Sequence, residues 1–138
     1  MESLKVIDYM NNRPVLFTTQ MSLTVALERL LQSRQTGGPV VNEKDEVIGF
    51  ISEQDMIQKL LKVSYHCEDA AQVGDCMRTD VLSVDPNDSI LALAEMMCGQ
   101  KPKVYPVVEK GRLVGVITRR NVLDAIHAQI LKCFQHPV

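Results

Sequence analysis

Apolar positions along the chain alternate between helix-like and strand-like spacing. Leu23, Ala26, Leu27, Leu30 and Leu31 follow the i, i+3, i+4, i+7, i+8 stripe of one helix face, and Ser22 stands in the N-cap place. Before that helix, Val15-Leu16-Phe17 reads as a short strand; after it, Gly37-Gly38 reads as its stop. Val40-Val41 and Val47 to Ile51 read as two strands joined by the polar turn Asn42 to Glu46, a hairpin by pattern. Met56, Ile57, Leu60 and Leu61 place a second helix from Glu53 to Ser64, and a short helical lead over residues 3–10 precedes the whole unit.

The same order then comes again. Val81 to Val84 is a strand, and Asp85 to Asp88 is a turn ending in a cap. Ile90 to Cys98 is a helix with Gly99 as its stop. Tyr105 to Val108 and Arg112 to Ile117 pair across Glu109-Lys110-Gly111, and a last helix runs from Arg119 to Phe134. The repetition reaches single residues. Val6, Asp8, Met10, Ser22, Glu28 and Pro39-Val40-Val41 recur 67 positions later, and Gly49–Asp55 lies over Gly115–Asn121 at an offset of 66. A unit this small buries its apolar face against its twin. The expected fold class is therefore α/β in the α+β sense: a tandem β-α-β-β-α pair with pseudo-two-fold symmetry. Repeat one covers residues 1–66 with the lead, and repeat two covers 67–138 with the long last helix. The cleft between them is where function is expected.

Composition narrows the choices. The 138 residues are 46% hydrophobic and only 4% aromatic with no Trp, so the core must be aliphatic. A net charge of −2 gives no basic field for nucleic acid. No apolar run approaches the roughly 20 residues of a membrane span, and MESLKVIDYM does not read as a secretory signal. Cys67, Cys76, Cys98 and Cys133 lack metal-ligand spacing, so reduced thiols in a cytoplasmic protein are expected, with no metal. The last helix carries apolar surface beyond one face, through Ala125, Ile126, Ile130 and Cys133. A homodimer seam is the expected use, and tight packing on its own sheet is the competing one.

Candidate chemistry gathers where strand meets helix. Phe50 and Ser52 share one strand face, as do Val116 and Thr118, because side chains alternate. Ser52 and Thr118 stand where a hydroxyl and free helix-start N–H groups can hold an oxyanion. Three residues on, Asp55 can accept two vicinal ribose hydroxyls, and Asn121 is a poorer acceptor. Ser-x-x-Asp and Thr-x-x-Asn are also capping-box patterns, so capping and ligand contact are both open. Arg119 and Arg120 suit phosphate, or form a solvated helix start against the dipole. Tyr105 either edges the cleft or is a half-buried strand residue, and His127 reads as a helix-surface or interface histidine. No glycine-rich phosphate loop, nucleophile elbow or nucleophile–base pair is present, so neither catalysis nor a catalytic cofactor is expected.

Pro-Val-Val ahead of a hairpin, followed by Gly-apolar-apolar-Ser/Thr-x-x-Asp/Asn entering a helix, resembles the cystathionine-β-synthase (CBS) domain. Two in tandem, over residues 6–61 and 73–130, resemble the CBS pair or Bateman module. The resemblance implies a regulatory sensor that binds an adenine nucleotide or related ligand between the repeats and acts on a partner protein. The ligand stays open among AMP, ADP, ATP, NAD and S-adenosylmethionine. The alternative is an interaction module with empty clefts. Carried over by position, the resemblance implies a site A of Phe50, Ser52, Asp55, Gly74, Thr79, Lys103 and Val104. It implies a site B of Val116, Thr118, Asn121, Ile7, Asn12, Thr36 and Gly37, with Arg119 and Arg120 beside it. Site A keeps the carboxylate and is expected to be the better one.

Overall fold

The computed structural model describes residues 4–66 and 71–135; Cys67 and part of the connection between the repeats lie outside them. Repeat one holds helix α1 (Leu23–Ser33), strands β1 (Gly37–Val41) and β2 (Val47–Ser52), and helix α2 (Glu53–His66). Repeat two holds α3 (Ile90–Met97), β3 (Val104–Glu109), β4 (Arg112–Thr118) and α4 (Arg119–Gln135). One 3-10 turn precedes each, at Val6–Asp8 and Val73–Asp75. This is the expected α+β pair.

Local chemistry sets the elements. Ser22 Oγ accepts from Val25 N (3.2 Å), and its counterpart Ser89 accepts from Ala92 N (3.3 Å), so one repeated serine starts both helices. The first hairpin turns on Asn42, whose Oδ1 accepts from Lys44 N and Glu46 N, with Asp45 left-handed (φ 60°). The second turns on Lys110 and Gly111, both at positive φ, as a two-residue turn matched to strand twist requires.

Three expectations needed correction. Gly37-Gly38 does not stop α1: Arg34 takes the left-handed cap (φ 58°), and the glycines open β1 opposite Ser52 and Ile51. Gly99 takes the expected C′ place after the C-cap Cys98 but not the left-handed φ of a glycine stop; Cys98 N–H closes the last turn of α3 on Glu95 O instead. The predicted opening strands shrink to one paired residue each. Phe17 donates to Pro39 O and accepts from Val41 N; Val84 does the same with Pro106 and Val108, both in parallel sense. Before Phe17 the ladder is interrupted because Val15 N donates to the Gln35 side chain instead.

The two cores are aliphatic, and each is completed by the other repeat's lead. Val6 is buried among Ile90, Leu93, Tyr105, Ile117 and Val122; Val73 is buried among Phe17, Leu23, Leu30, Ile51 and Met56. Main-chain bonds fix the exchange. Val6 N donates to Asp88 O and Ile90 N to Leu4 O, while Val73 N donates to Met21 O and Leu23 N to Ala71 O. Each lead then runs across the other repeat's second strand. Asn11 exchanges both main-chain bonds with Val116, and Arg78 does so with Phe50. That approach requires a residue without a side chain beneath it. A Cβ on Gly49 would lie 2.6 Å from Met77 Sδ and 2.9 Å from Arg78 O, and one on Gly115 would lie 2.7 Å from Asn11 O.

Exposed apolar residues stand on all four helices, most of them on α2 and α4. On α2, Ile57, Leu61 and Tyr65 are exposed, and on α4 Leu123, Ile130, Leu131 and Phe134 are exposed, although Met56, Val122 and Ala125 of the same helices are buried. Among the described residues no helix is long and apolar enough to cross a membrane.

Gly49→Ala is expected to destabilise the chain by about 1–3 kcal/mol in urea unfolding, the cost of overpacking. Gly99→Ala, with nothing within 4 Å of its Cβ, should stay within about 0.5 kcal/mol of the native protein. Equal effects would contradict the crossed-lead packing.

Candidate functional site

A cavity of about 900 Å³ opens between the repeats, within the range of small-molecule sites. One wall is the end of β2 and the start of α2, with Phe50, Ser52 and Asp55. The second is the lead from Arg78 to Leu82, and the third is the segment Gln100 to Val104 before β3. Six of the seven residues expected in site A line it: Phe50, Ser52, Asp55, Thr79, Lys103 and Val104. Gly74 does not. Its 3-10 turn faces back onto repeat one, where its N–H donates to Thr19 O.

Asp55 is the most connected side chain here. Its Oδ2 accepts from Ser52 N (3.0 Å) and Ser52 Oγ (2.9 Å), while Asp55 N returns a bond to Ser52 Oγ (3.3 Å). This is a capping box with a carboxylate. Its Oδ1 accepts from Arg78 Nε at 3.0 Å, with Asp55 12% and Arg78 55% exposed. The box has a cost for the expected anion cradle. Ser52 N and Asp55 N are bonded within it, and Glu53 N donates to Thr36 O, so these helix-start donors are not free for an oxyanion. Positive charge in the cleft comes instead from Arg78, Lys101 and Lys103, balanced by Glu53, Asp55 and Asp80.

Arg78 was missed by the sequence reading, although a signal exists. Asp55 and Arg78 have Asn121 and Asn11 as counterparts, so an acid–base pair in one half faces two amides in the other.

Site B is not gathered in the same way. Thr118 and Asn121 form only the capping box, Thr118 N to Asn121 Oδ1 (2.9 Å) and Asn121 N to Thr118 Oγ1 (3.0 Å). Val116 is buried at 1% exposure, Gly37 is buried in β1, and Thr36 lines the site A cavity instead. Ile7 is exposed with its N–H on Pro86 O, and Asn12, Arg119 and Arg120 are exposed. The structure shows why the halves differ. A Cβ on Gly38 would collide with Val15 O, so the segment before Phe17 lies directly on β1. Gln35 holds it there, accepting from Val15 N (3.1 Å) and reaching Arg13 O (3.5 Å). At the counterpart positions repeat two has Tyr105 and Pro102. A tyrosine in place of Gly38 denies the Leu82 segment that close approach, and a proline cannot lace it down. The depression beside Gln35, about 570 Å³, lies between Arg13–Leu16 and α1, wholly within repeat one.

Tyr105 neither edges the cleft nor sits half-buried. It is fully buried in the repeat-two core, and its hydroxyl finds no hydrogen-bond partner among the described residues. Burial pushes its phenol above the usual range, against the opposing charge of Arg119. Burial likewise raises the Cys76 thiol, opposed by Lys59 and reinforced by Asp75 and Asp55, so it is a poor nucleophile at neutral pH. No group of three or more potential metal ligands occurs among the described residues.

The family model described as CBS domain matches residues 6–62 and 73–128. The structure of CBSX2 from Arabidopsis thaliana in complex with AMP superposes with a TM-score of 0.77 at 29% identity, covering 92% of this chain and 98% of that one. A putative acetoin utilization protein (AcuB) from Vibrio cholerae gives 0.83 at 27% identity, covering 99% and 100%. In sequence, an A-adding tRNA nucleotidyltransferase from Aquifex aeolicus is 29% identical over 94% of this chain. The chain spans only 15% of that enzyme's length, and 35% of an uncharacterised Methanocaldococcus jannaschii protein that is 30% identical over 101 residues.

Asp55→Ala is expected to lower stability by about 1–2 kcal/mol, the loss of a cap with its charge-assisted bonds. Asn121→Ala should cost less, because only the box is lost there. Chemical denaturation of the two variants checks the order.

Proposed function

The chain belongs to the CBS domain family, and on that premise we propose that it is a regulatory module binding an adenosine nucleotide, AMP first among them, in the cleft of Phe50, Ser52, Asp55, Thr79, Lys103 and Val104. The observation that carries this reading is a cavity of about 900 Å³ shared by both repeats, with three carboxylates and three cations on its walls. CBSX2, a relative at 29% identity, holds AMP, which supports the same ligand class here. Asp55 takes the ribose hydroxyls, aliphatic side chains such as Val104 take the adenine, and Lys103 takes phosphate. The ligand touches both repeats, so it favours the arrangement in which the cleft closes best, and a partner protein reads that population shift. The module works in the cytoplasm without a catalytic step of its own.

The exposed apolar residues of α2 and α4 favour a homodimer as the working state, since apolar side chains left on helix faces are what a second copy can cover. Leu123→Asp should then turn a dimer into a monomer in analytical ultracentrifugation, with the chain still folded by circular dichroism and its melting point no longer rising with protein concentration.

Titration calorimetry with AMP is expected to give one molecule per chain. At 100 times its dissociation constant, AMP should stabilise the fold by about 2.7 kcal/mol, several degrees in a thermal melt. Asp55→Ala should remove most of that shift. If AMP, ADP and ATP all leave the melt unmoved, the reading falls and an interaction module without a ligand takes its place.

A further inference from the structure

Resting on the nucleotide reading, we propose that Arg78 is the specificity-determining residue of the cleft: it selects ligands with a 5′-phosphate over uncharged nucleosides by exchanging its hold on Asp55 for the phosphate. Asp55 offers two carboxylate oxygens. Oδ2 is committed to Ser52 N and Oγ, and these bonds cap α2. The oxygen left for a ribose is Oδ1, which accepts from Arg78 Nε at 3.0 Å. A ribose entering the site therefore competes with a charge-assisted bond.

The competition has two outcomes. An uncharged nucleoside displaces the guanidinium and leaves the cation and the carboxylate without each other. A nucleoside 5′-phosphate displaces it and supplies a new anion on the same molecule. Arg78 is suited to that transfer. Its main chain is pinned by two bonds to Phe50, Arg78 N to Phe50 O (2.8 Å) and Phe50 N to Arg78 O (2.9 Å), so only the side chain moves. The side chain lines the cavity at 55% exposure, and Nε is one of five N–H donors, so four remain for a phosphate. Lys101 and Lys103 on the facing wall add charge of the same sign.

The test measures binding of 5′-AMP and of adenosine to the native chain, Arg78→Ala and Arg78→Gln by calorimetry, at two salt concentrations. Native protein is expected to prefer 5′-AMP by tenfold or more. In Arg78→Ala, 5′-AMP affinity should fall about tenfold or more, while adenosine binds as well as before or more tightly because Asp55 is released. The salt dependence of AMP binding should drop with it. Arg78→Gln, which keeps length and a donor without the charge, should behave like the alanine variant, so a folding defect in one does not decide the matter. Asn11→Ala, at the counterpart position, should leave both affinities alone. Equal losses for both ligands, or no loss for AMP, would overturn the role of Arg78 while leaving the nucleotide site standing. A native chain that binds neither ligand would remove the nucleotide reading itself, and this proposal with it.

Discussion

Each repeat's core is closed by the lead of the other repeat. Val6 fills the cluster around Ile90 and Ile117, and Val73 fills the cluster around Leu23 and Ile51. Burying a valine fully contributes about 1.5–3 kcal/mol, so a half that let go of its partner's lead would lose that and leave its own apolar floor wet. The exchange also sets the geometry of the cleft. A lead that crosses into the other repeat must come back along that repeat's second strand, over Gly49 or Gly115. The crossing brings residue 78 beside residue 55, two positions 23 apart in sequence.

On this symmetric frame the two clefts diverge through small substitutions. Gly38 lets the Val15 segment settle on β1 and Gln35 ties it down, while Tyr105 and Pro102 stand at the same places in repeat two. Asp55 with Arg78 answers to Asn121 with Asn11. One half thus has an acid–base pair lining a cavity, and the other has a capped, laced and packed seam. Such a division is physically economical, because a buried wall around Val116 keeps the repeats in register while the opposite cleft retains exposed charge that a ligand can engage.

Much of this was legible beforehand, and the limits have causes. Ser22 and Ser89, the apolar stripes and the paired hairpins are local signals, and they gave element types and order. Gly37-Gly38 was misread as a helix stop because glycine serves equally where another segment approaches a strand closely. The first opening strand was overdrawn because Val15 spends its N–H on a side chain 20 residues away, which no window of sequence reveals. Thr79 and Lys103, carried over through the family likeness, do line the cavity. Gly74 and Thr36 were misplaced for a common reason: position-by-position transfer fixes a neighbourhood, while the facing of a 3-10 turn or a strand start is set by bonds such as Gly74 N to Thr19 O and Glu53 N to Thr36 O. Arg78 was overlooked as a single residue, yet the paired change of Asp55 and Arg78 into two asparagines was already present in the repeat.

The position of Asp55 also bears on how occupancy could leave the cleft. It stands in the first turn of α2 and its Oδ2 caps that helix, so any ligand that engages the carboxylate acts on the helix start itself. Further along the same helix, Ile57, Leu61 and Tyr65 present apolar surface to solvent, while Met56 anchors it in the core. A rigid helix with its capped end in the site and its uncovered face outside needs no long relay of side chains to connect the two. A small change in the pose of α2 is felt at both places because they belong to one hydrogen-bonded element.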